Sequence, residues 1–119
     1  MTSSLCIIST KAPYQGQAAR EALDAVFISA SYDIPTSLLL MGDGVYQLLG
    51  HQAPEQLPRK KLTALLQSLP LYGVEHIYVD SQSLEERHIA TTHLITSFQL
   101  VSPEKLPEFI NQHGKILSF

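Results

Sequence analysis

The chain contains one cysteine, Cys6, which is its only candidate thiol nucleophile. A reactive cysteine must be accessible and must have a lowered thiol pKa. Cys6 instead lies in the short apolar run 5–9, which predicts a buried strand. A free cysteine in such a run is typical of a small core residue, and a lone cysteine cannot form an internal disulfide. We therefore expect Cys6 to be an inert core residue, and a reactive thiol is the alternative.

The histidines show none of the spacing that is typical of metal ligands. His88 and His93 lie five positions apart, but no cysteine is nearby, and zinc sites normally add two further ligands close by. We interpret all five histidines as structural or solvated, and we predict no metal site. They are His51, His76, His88, His93 and His113.

Other sequence signatures of chemistry are absent. There is no G-x-S-x-G elbow, which disfavours a hydrolase, and there is no Walker A or G-x-G-x-x-G sequence. The stretch 42–44 is better interpreted as a turn, and Asp43 and Glu21 near strand ends would repel a phosphate. We predict no cofactor, although a flavin or nucleotide at the sheet edge stays open on fold grounds alone.

Length and charge restrict the class of protein. The 119 residues fit one domain, 1–119, and the net charge is −3. The only basic cluster is 59–61, without the basic face and interleaved aromatic residues of an RNA-binding surface, so we predict no direct contact with nucleic acid. The N-terminal sequence lacks the features of a secretory signal, and no segment approaches the roughly 20 apolar residues of a membrane span. We therefore expect a cytoplasmic protein that is not bound to a membrane.

Strands and helices are predicted to alternate along the chain. Such alternation implies a single three-layer α/β/α domain with a mostly parallel five-stranded sheet, in a flavodoxin-like arrangement. The sequence leaves open the strand order and the direction of the fourth and last strands. The predicted strands are 5–9, 35–42, 75–80, 94–101 and 115–119, and the predicted helices are 17–31, 60–69, 81–87 and 103–113, with one helical turn at 45–49.

Two local predictions define where chemistry could lie and where the last helix begins. In a parallel sheet, ligands and reactive groups lie at the carboxyl ends of the strands, which here are 11–16, 42–46 and 80–83. Ser102 followed by Pro103 predicts a helix that begins at Pro103 with Ser102 as its N-cap.

Several segments in register resemble the TusC/DsrF family. The residues that carry the resemblance are PYQG at 13–16 followed by AREALDA at 19–25, MGDGVYQLL at 41–49, HIYVDS at 76–81, SLEER at 83–87 and the closing KILSF at 115–119. The resemblance implies a DsrE/F-like fold. It also implies a subunit of a heterohexamer, with TusB-like and TusD-like partners and two copies of each subunit, that passes persulfide sulfur towards 2-thiouridine at the tRNA wobble position.

The resemblance also implies that the chemistry belongs to a partner. In the family, the sulfur carrier is a cysteine of the D-type subunit at the end of the third strand, and this position corresponds to Tyr78 here. A phenol cannot form a persulfide. We therefore predict a structural subunit that is not itself an enzyme.

Apolar residues on the predicted loops are candidate interface anchors, because an obligate complex needs uncharged aromatic and aliphatic groups at the centre of its interfaces. We expect the single turn at 45–49 to be unable to bury its own face. The alternative is that these residues pack under their own loops. The candidates are Tyr14, Val45, Tyr46, Leu48 and Leu49, with Tyr72 in addition.

Three other functions stay open at this point. The chain could be a sulfurtransferase that acts through Cys6, a subunit of the DsrEFH type that serves sulfur oxidation, or a stand-alone module that binds a small ligand. Thiol accessibility tests the first alternative, and a bound chromophore would favour the last.

Overall fold

The computed structural model describes residues 4–13, 16–49, 64–74, 76–94 and 97–119. Five strands form one sheet in the order β4-β3-β2-β1-β5, and every neighbouring pair is parallel. This confirms the predicted α/β fold, and it shows that the fourth and last strands are parallel to the others. The strands are β1 Leu5–Ser9, β2 Thr36–Leu40, β3 Ile77–Asp80, β4 Gln99–Val101 and β5 Lys115–Ser118.

Helices connect the strands, as parallel pairing requires. Helix α1 covers Ala18–Ser31, residues 64–68 are the described part of α2, α3 covers Ser81–Glu86 and α4 covers Leu106–Asn111. Short 3-10 segments lie at Gly42–Leu48, Leu69–Tyr72 and Thr91–His93. No described helix is both long enough and apolar enough to cross a lipid bilayer.

The two faces of the sheet are covered by different helices. Ile7, Leu40 and Val79 point to the face covered by α1 and α2 and belong to the larger core cluster. Cys6 and Leu39 point to the opposite face and belong to a smaller cluster, against which Phe109, Ile110 and other α4 residues pack. The alternation follows from the two-residue period of a strand, and it produces the predicted three layers.

The fourth strand is shorter than predicted. It begins at Gln99 rather than at Leu94, because Thr91–His93 form a 3-10 turn and Leu94 makes an isolated antiparallel bridge with Leu49. Residues 95 and 96 lie outside the described part of the chain, as do residues 60–63 of the predicted second helix.

The predicted start of the last helix was wrong. Residues 103–105 form a turn closed by the amide of Lys105 and the carbonyl of Ser102 at 3.0 Å, and the helix begins at Leu106. Pro107 explains the shift. In a helix that began at Pro103, Pro107 would lack the amide for the i→i−4 hydrogen bond, and its ring would clash with a carbonyl, whereas proline is tolerated in the first turn.

Candidate functional site

The carboxyl ends of β1, β2 and β3 meet at one edge of the sheet, because these three strands are neighbours and all run in the same direction. The residues at this edge include Ser9, Gly42 and Asp80. Ligands of open α/β sheets bind at such an edge. We therefore describe its side chains first and then ask whether they can react.

The 3-10 segment 42–48 lies directly on the end of β1. A Cβ at Gly44 would overlap the carbonyl oxygen of Ser9 and would lie 2.9 Å from the carbonyl carbon, so only glycine allows this approach. The segment consequently buries Val45 and Leu48 completely. The proposal that these two residues are exposed interface anchors was wrong, because the close approach of the backbone turns them into the core.

Gln47 ties the same segment to the chain after β1. Its side chain is buried, and Nε2 donates hydrogen bonds to the Ser9 hydroxyl at 2.8 Å and to the Lys11 carbonyl at 3.0 Å. These bonds join residues 36 and 38 positions apart in sequence. The side-chain amide of Gln47 therefore holds the 3-10 segment against the end of β1 and the residues that follow it.

A second set of hydrogen bonds joins the loop after β2 to α3. The Ser83 hydroxyl donates to Oδ2 of the buried Asp80 at 2.6 Å and accepts from the amide of Gly42 at 2.8 Å. Gly42 has a φ of 55°, in the left-handed region that favours glycine. This arrangement holds the Asp80 carboxylate against α3 and sets the direction of the loop.

Arg87 completes the link between these two elements. Its Nε and Nη2 both lie 3.0 Å from Oδ1 of Asp43, and Nη1 donates to the Ser83 carbonyl at 3.2 Å. Nη1 also lies 3.7 Å from a carboxylate oxygen of Glu86. The guanidinium is therefore neutralised and held in place, and it is a structural clamp rather than a site for an anion.

Cys6 lies away from this edge and has the properties of a core residue. It is fully buried on the sheet face that α4 covers, and its neighbours across the sheet are Ser37 and Ile116. Burial raises the pKa of its thiol from 9.0 to about 11. The thiol is therefore protonated at neutral pH, whereas thiol chemistry requires the thiolate.

Tyr78 is the second residue of β3 and does not lie at the carboxyl end of that strand. Its ring contacts Phe109 of α4, with the ring centroids 4.6 Å apart. The residue that ends β3 is Asp80. The correspondence between Tyr78 and a partner's carrier cysteine stays a prediction, but neither residue has a sulfur atom.

The remaining candidate anchors fall into different surroundings. Tyr46 and Leu49 are half-buried on the 3-10 segment and the residue after it, and Tyr14 lies outside the described residues. Tyr72 is 54% exposed and makes an edge-to-face contact with Phe27 at 4.9 Å. Tyr46 and Leu49 are therefore the described candidates that combine a position at this edge with access to solvent.

Sequence reasoning missed two kinds of residue. The polar links through Gln47, Ser83 and Arg87 connect distant parts of the chain, and no local pattern indicates them. The exposed side chains of Ile28 and Tyr32 are 61% and 75% accessible. Ile28 lies on α1 outside its buried stripe and Tyr32 follows four positions later, directly after the helix, and this spacing is a signal that could have identified them.

The described residues contain no cluster of three or more histidine, cysteine, aspartate or glutamate side chains that could hold a metal ion. The polar groups described at the carboxyl edge bind one another. Their hydrogen bonds can keep this part of the surface rigid. None of these polar groups is a thiol that could accept sulfur.

The chain is similar to known proteins along its whole length. A protein named TusC homolog from Pseudomonas aeruginosa is 36% identical over 118 residues, which cover 99% of each chain, and one from Vibrio parahaemolyticus is 36% identical over 117 residues, which cover 98% of this chain and 99% of its relative. The crystal structure of the ychN protein from E. coli has a TM-score of 0.79 at 21% identity, covers both chains completely and supports the fold. The DsrE/DsrF-like family matches residues 3–119, so the chain belongs to this family.

Proposed function

We propose that this chain is a non-catalytic structural subunit of a cytoplasmic, heterohexameric sulfur-relay complex. The complex would contain two copies each of this chain, a TusB-like subunit and a TusD-like subunit, and it would pass persulfide sulfur towards 2-thiolation of the tRNA wobble uridine. One observation carries the proposal. The only cysteine of the chain is fully buried, has a raised thiol pKa, and lies away from the carboxyl edge at which ligands of such sheets bind.

The relatives support the identity of the subunit. Relatives that are 36% identical over nearly the whole of both chains are named TusC homologs. The carrier cysteine would then belong to the TusD-like partner. This chain would contribute its folded surface to the assembly.

The carboxyl edge is suited to that structural role. Gln47, Ser83 and Arg87 hold the segments around β1, β2 and α3 in one arrangement before any partner binds. A preorganised surface loses little conformational entropy on association. The half-buried Tyr46 and Leu49 would supply apolar contact area on this support.

Co-expression with the two partners tests the assembly. We expect a complex that contains the three chains in equal numbers, with the mass of a hexamer by light scattering. A chain that stays alone or self-associates in the presence of folded partners would contradict the proposal.

A pair of cysteine variants tests which subunit of that complex carries the reactive cysteine. Cys6→Ala should leave formation of 2-thiouridine unchanged, whereas replacing the carrier cysteine of the TusD-like partner should abolish it. Loss of sulfur transfer in an intact hexamer with Cys6→Ala would assign the chemistry to this chain. A normal complex that supports sulfur oxidation but no tRNA thiolation would place the chain in a DsrEFH-type system.

A further inference from the structure

A groove opens at the opposite edge of the sheet, near the amino ends of β2 and β3. It is an open groove of about 360 Å³ between the last turn of α4 and these strands. Small-molecule sites in proteins begin at about 300 Å³ and combine apolar walls with a few polar groups. The groove shares no lining residue with the hydrogen-bonded links at the carboxyl edge.

Aromatic rings in mutual contact form its apolar surface. The centroids of Tyr78 and Phe109 are 4.6 Å apart, those of Phe109 and His113 are 4.9 Å apart, and those of His76 and Tyr78 are 6.1 Å apart. Rings held in this way are a rigid surface against which a flat ligand can pack without a large loss of side-chain entropy.

The hydrogen bonds of the two histidines determine which groups can still donate. The amide nitrogen of Gln99 lies 3.3 Å from Nδ1 of His76, and since an amide nitrogen only donates, the proton of the neutral His76 ring is on Nε2. Nδ1 of His113 lies 3.0 Å from the carbonyl oxygen of Phe109 and therefore carries the proton. Its Nε2, 3.1 Å from the Ser37 hydroxyl, is then an acceptor.

Donors consequently remain available in the groove. The His76 Nε2–H group is not used by the bond to Gln99, and no described residue bonds to the hydroxyl of the half-buried Tyr78. The amide of Gln112 also lines the groove. None of the described lining residues is acidic, so none of them would repel an anion.

We propose that this groove binds a small organic anion that carries a flat ring, such as an aromatic or heteroaromatic carboxylate. The ring would pack against Tyr78 and Phe109, and the carboxylate would accept hydrogen bonds from Tyr78 and His76. The inference does not depend on the proposed role in sulfur relay.

Titration of the ¹⁵N-labelled full chain with benzoate tests the proposal by NMR. We expect saturable shifts concentrated at Ser37, His76, Tyr78 and His113. Benzamide keeps the ring without the charge, and cyclohexanecarboxylate keeps the charge without the flat ring, so both should bind at least about tenfold more weakly, the effect of losing one charged hydrogen bond or one good ring contact.

Two matched variants locate the site. Tyr78→Phe removes only the hydroxyl of this lining residue and should raise the Kd for benzoate about tenfold. Tyr32→Phe makes the same change at an exposed position directly after α1 and should leave the Kd unchanged. The spectra of both variants also show that they fold.

Three results would overturn the proposal. The first is the absence of saturable shifts with benzoate up to about 20 mM, a concentration that would reveal even a weak site of this size. The second is equal affinity for benzamide. The third is binding that Tyr78→Phe does not weaken.

Discussion

Replacing Gly44 with alanine should destabilise this protein by about 3–5 kcal/mol, a large effect for the addition of one methyl group. The new Cβ would overlap the Ser9 carbonyl oxygen and lie 2.9 Å from its carbon and 3.3 Å from the Cα of Thr10. All three neighbours are backbone atoms in or next to β1, and β1 is held on both sides by β2 and β5. The 3-10 segment 42–48, rather than the sheet, therefore has to move.

The magnitude follows from what this movement disrupts. A shift of about 1 Å is needed to restore van der Waals distances. It would break or weaken the two hydrogen bonds of Gln47, which are worth about 1 kcal/mol each. It would also disturb the packing of the fully buried Val45 and Leu48, and overpacking of a core typically costs a further 1–3 kcal/mol, roughly.

The assay is urea unfolding of the purified chain, with Gly73→Ala as the matched control. Gly73 has a φ of 88°, and no atom of the described residues lies within 4 Å of a new Cβ, so we expect its substitution to introduce mainly backbone strain, about 1–2 kcal/mol. We expect Gly44→Ala to lose clearly more stability than Gly73→Ala. Equal or smaller loss at Gly44 would refute the argument that this close approach builds the carboxyl edge.

Three other predictions concern the same surface and the core thiol. Tyr46→Asp should weaken assembly with the partner subunits without unfolding the chain, and an unchanged hexamer by light scattering together with normal circular dichroism would count against an interface at Tyr46. Ser83→Ala should reduce the free energy of unfolding by about 1–3 kcal/mol, because it leaves the buried Asp80 carboxylate and the Gly42 amide without this partner; urea unfolding measures it, and a neutral substitution would contradict it. Cys6 should react with a thiol reagent far more slowly in the folded chain than in urea, and labelling of the native chain within seconds would show that it is accessible.

The pKa of Cys6 adds a dependence of stability on pH. Because the thiol pKa is raised from 9.0 to about 11 in the folded chain, the folded state holds the proton more tightly than the unfolded state. The contribution of Cys6 is complete below pH 9 and is lost as the pH rises towards 11. Urea unfolding of the chain and of Cys6→Ala at pH 8 and pH 10.5 isolates this contribution. If the free energy of unfolding changed equally with pH in the two chains, Cys6 would not be buried as described.

The fold class could be predicted because its signals are local. The apolar run around Cys6 and the periodic apolar stripe of α1 each specify a burial pattern within a few residues, and alternating strands and helices favour a parallel sheet. The start of α4 could also have been predicted, since Pro107 is a local signal that outweighs the apparent cap at Ser102. The family was predicted from several segments that resemble it in the same order along the chain, rather than from any single motif.

The sequence alone determined that this chain has one thiol, and the apolar run around it predicted the burial that the structure shows. Only the tertiary structure decided which residues at the carboxyl edge face inward. Val45 and Leu48 enter the core because Gly44 rests on β1, and Ser83 and Arg87 join loops more than 40 positions away in sequence. Such contacts depend on the order of strands in the sheet, and local propensity carries no information about that order.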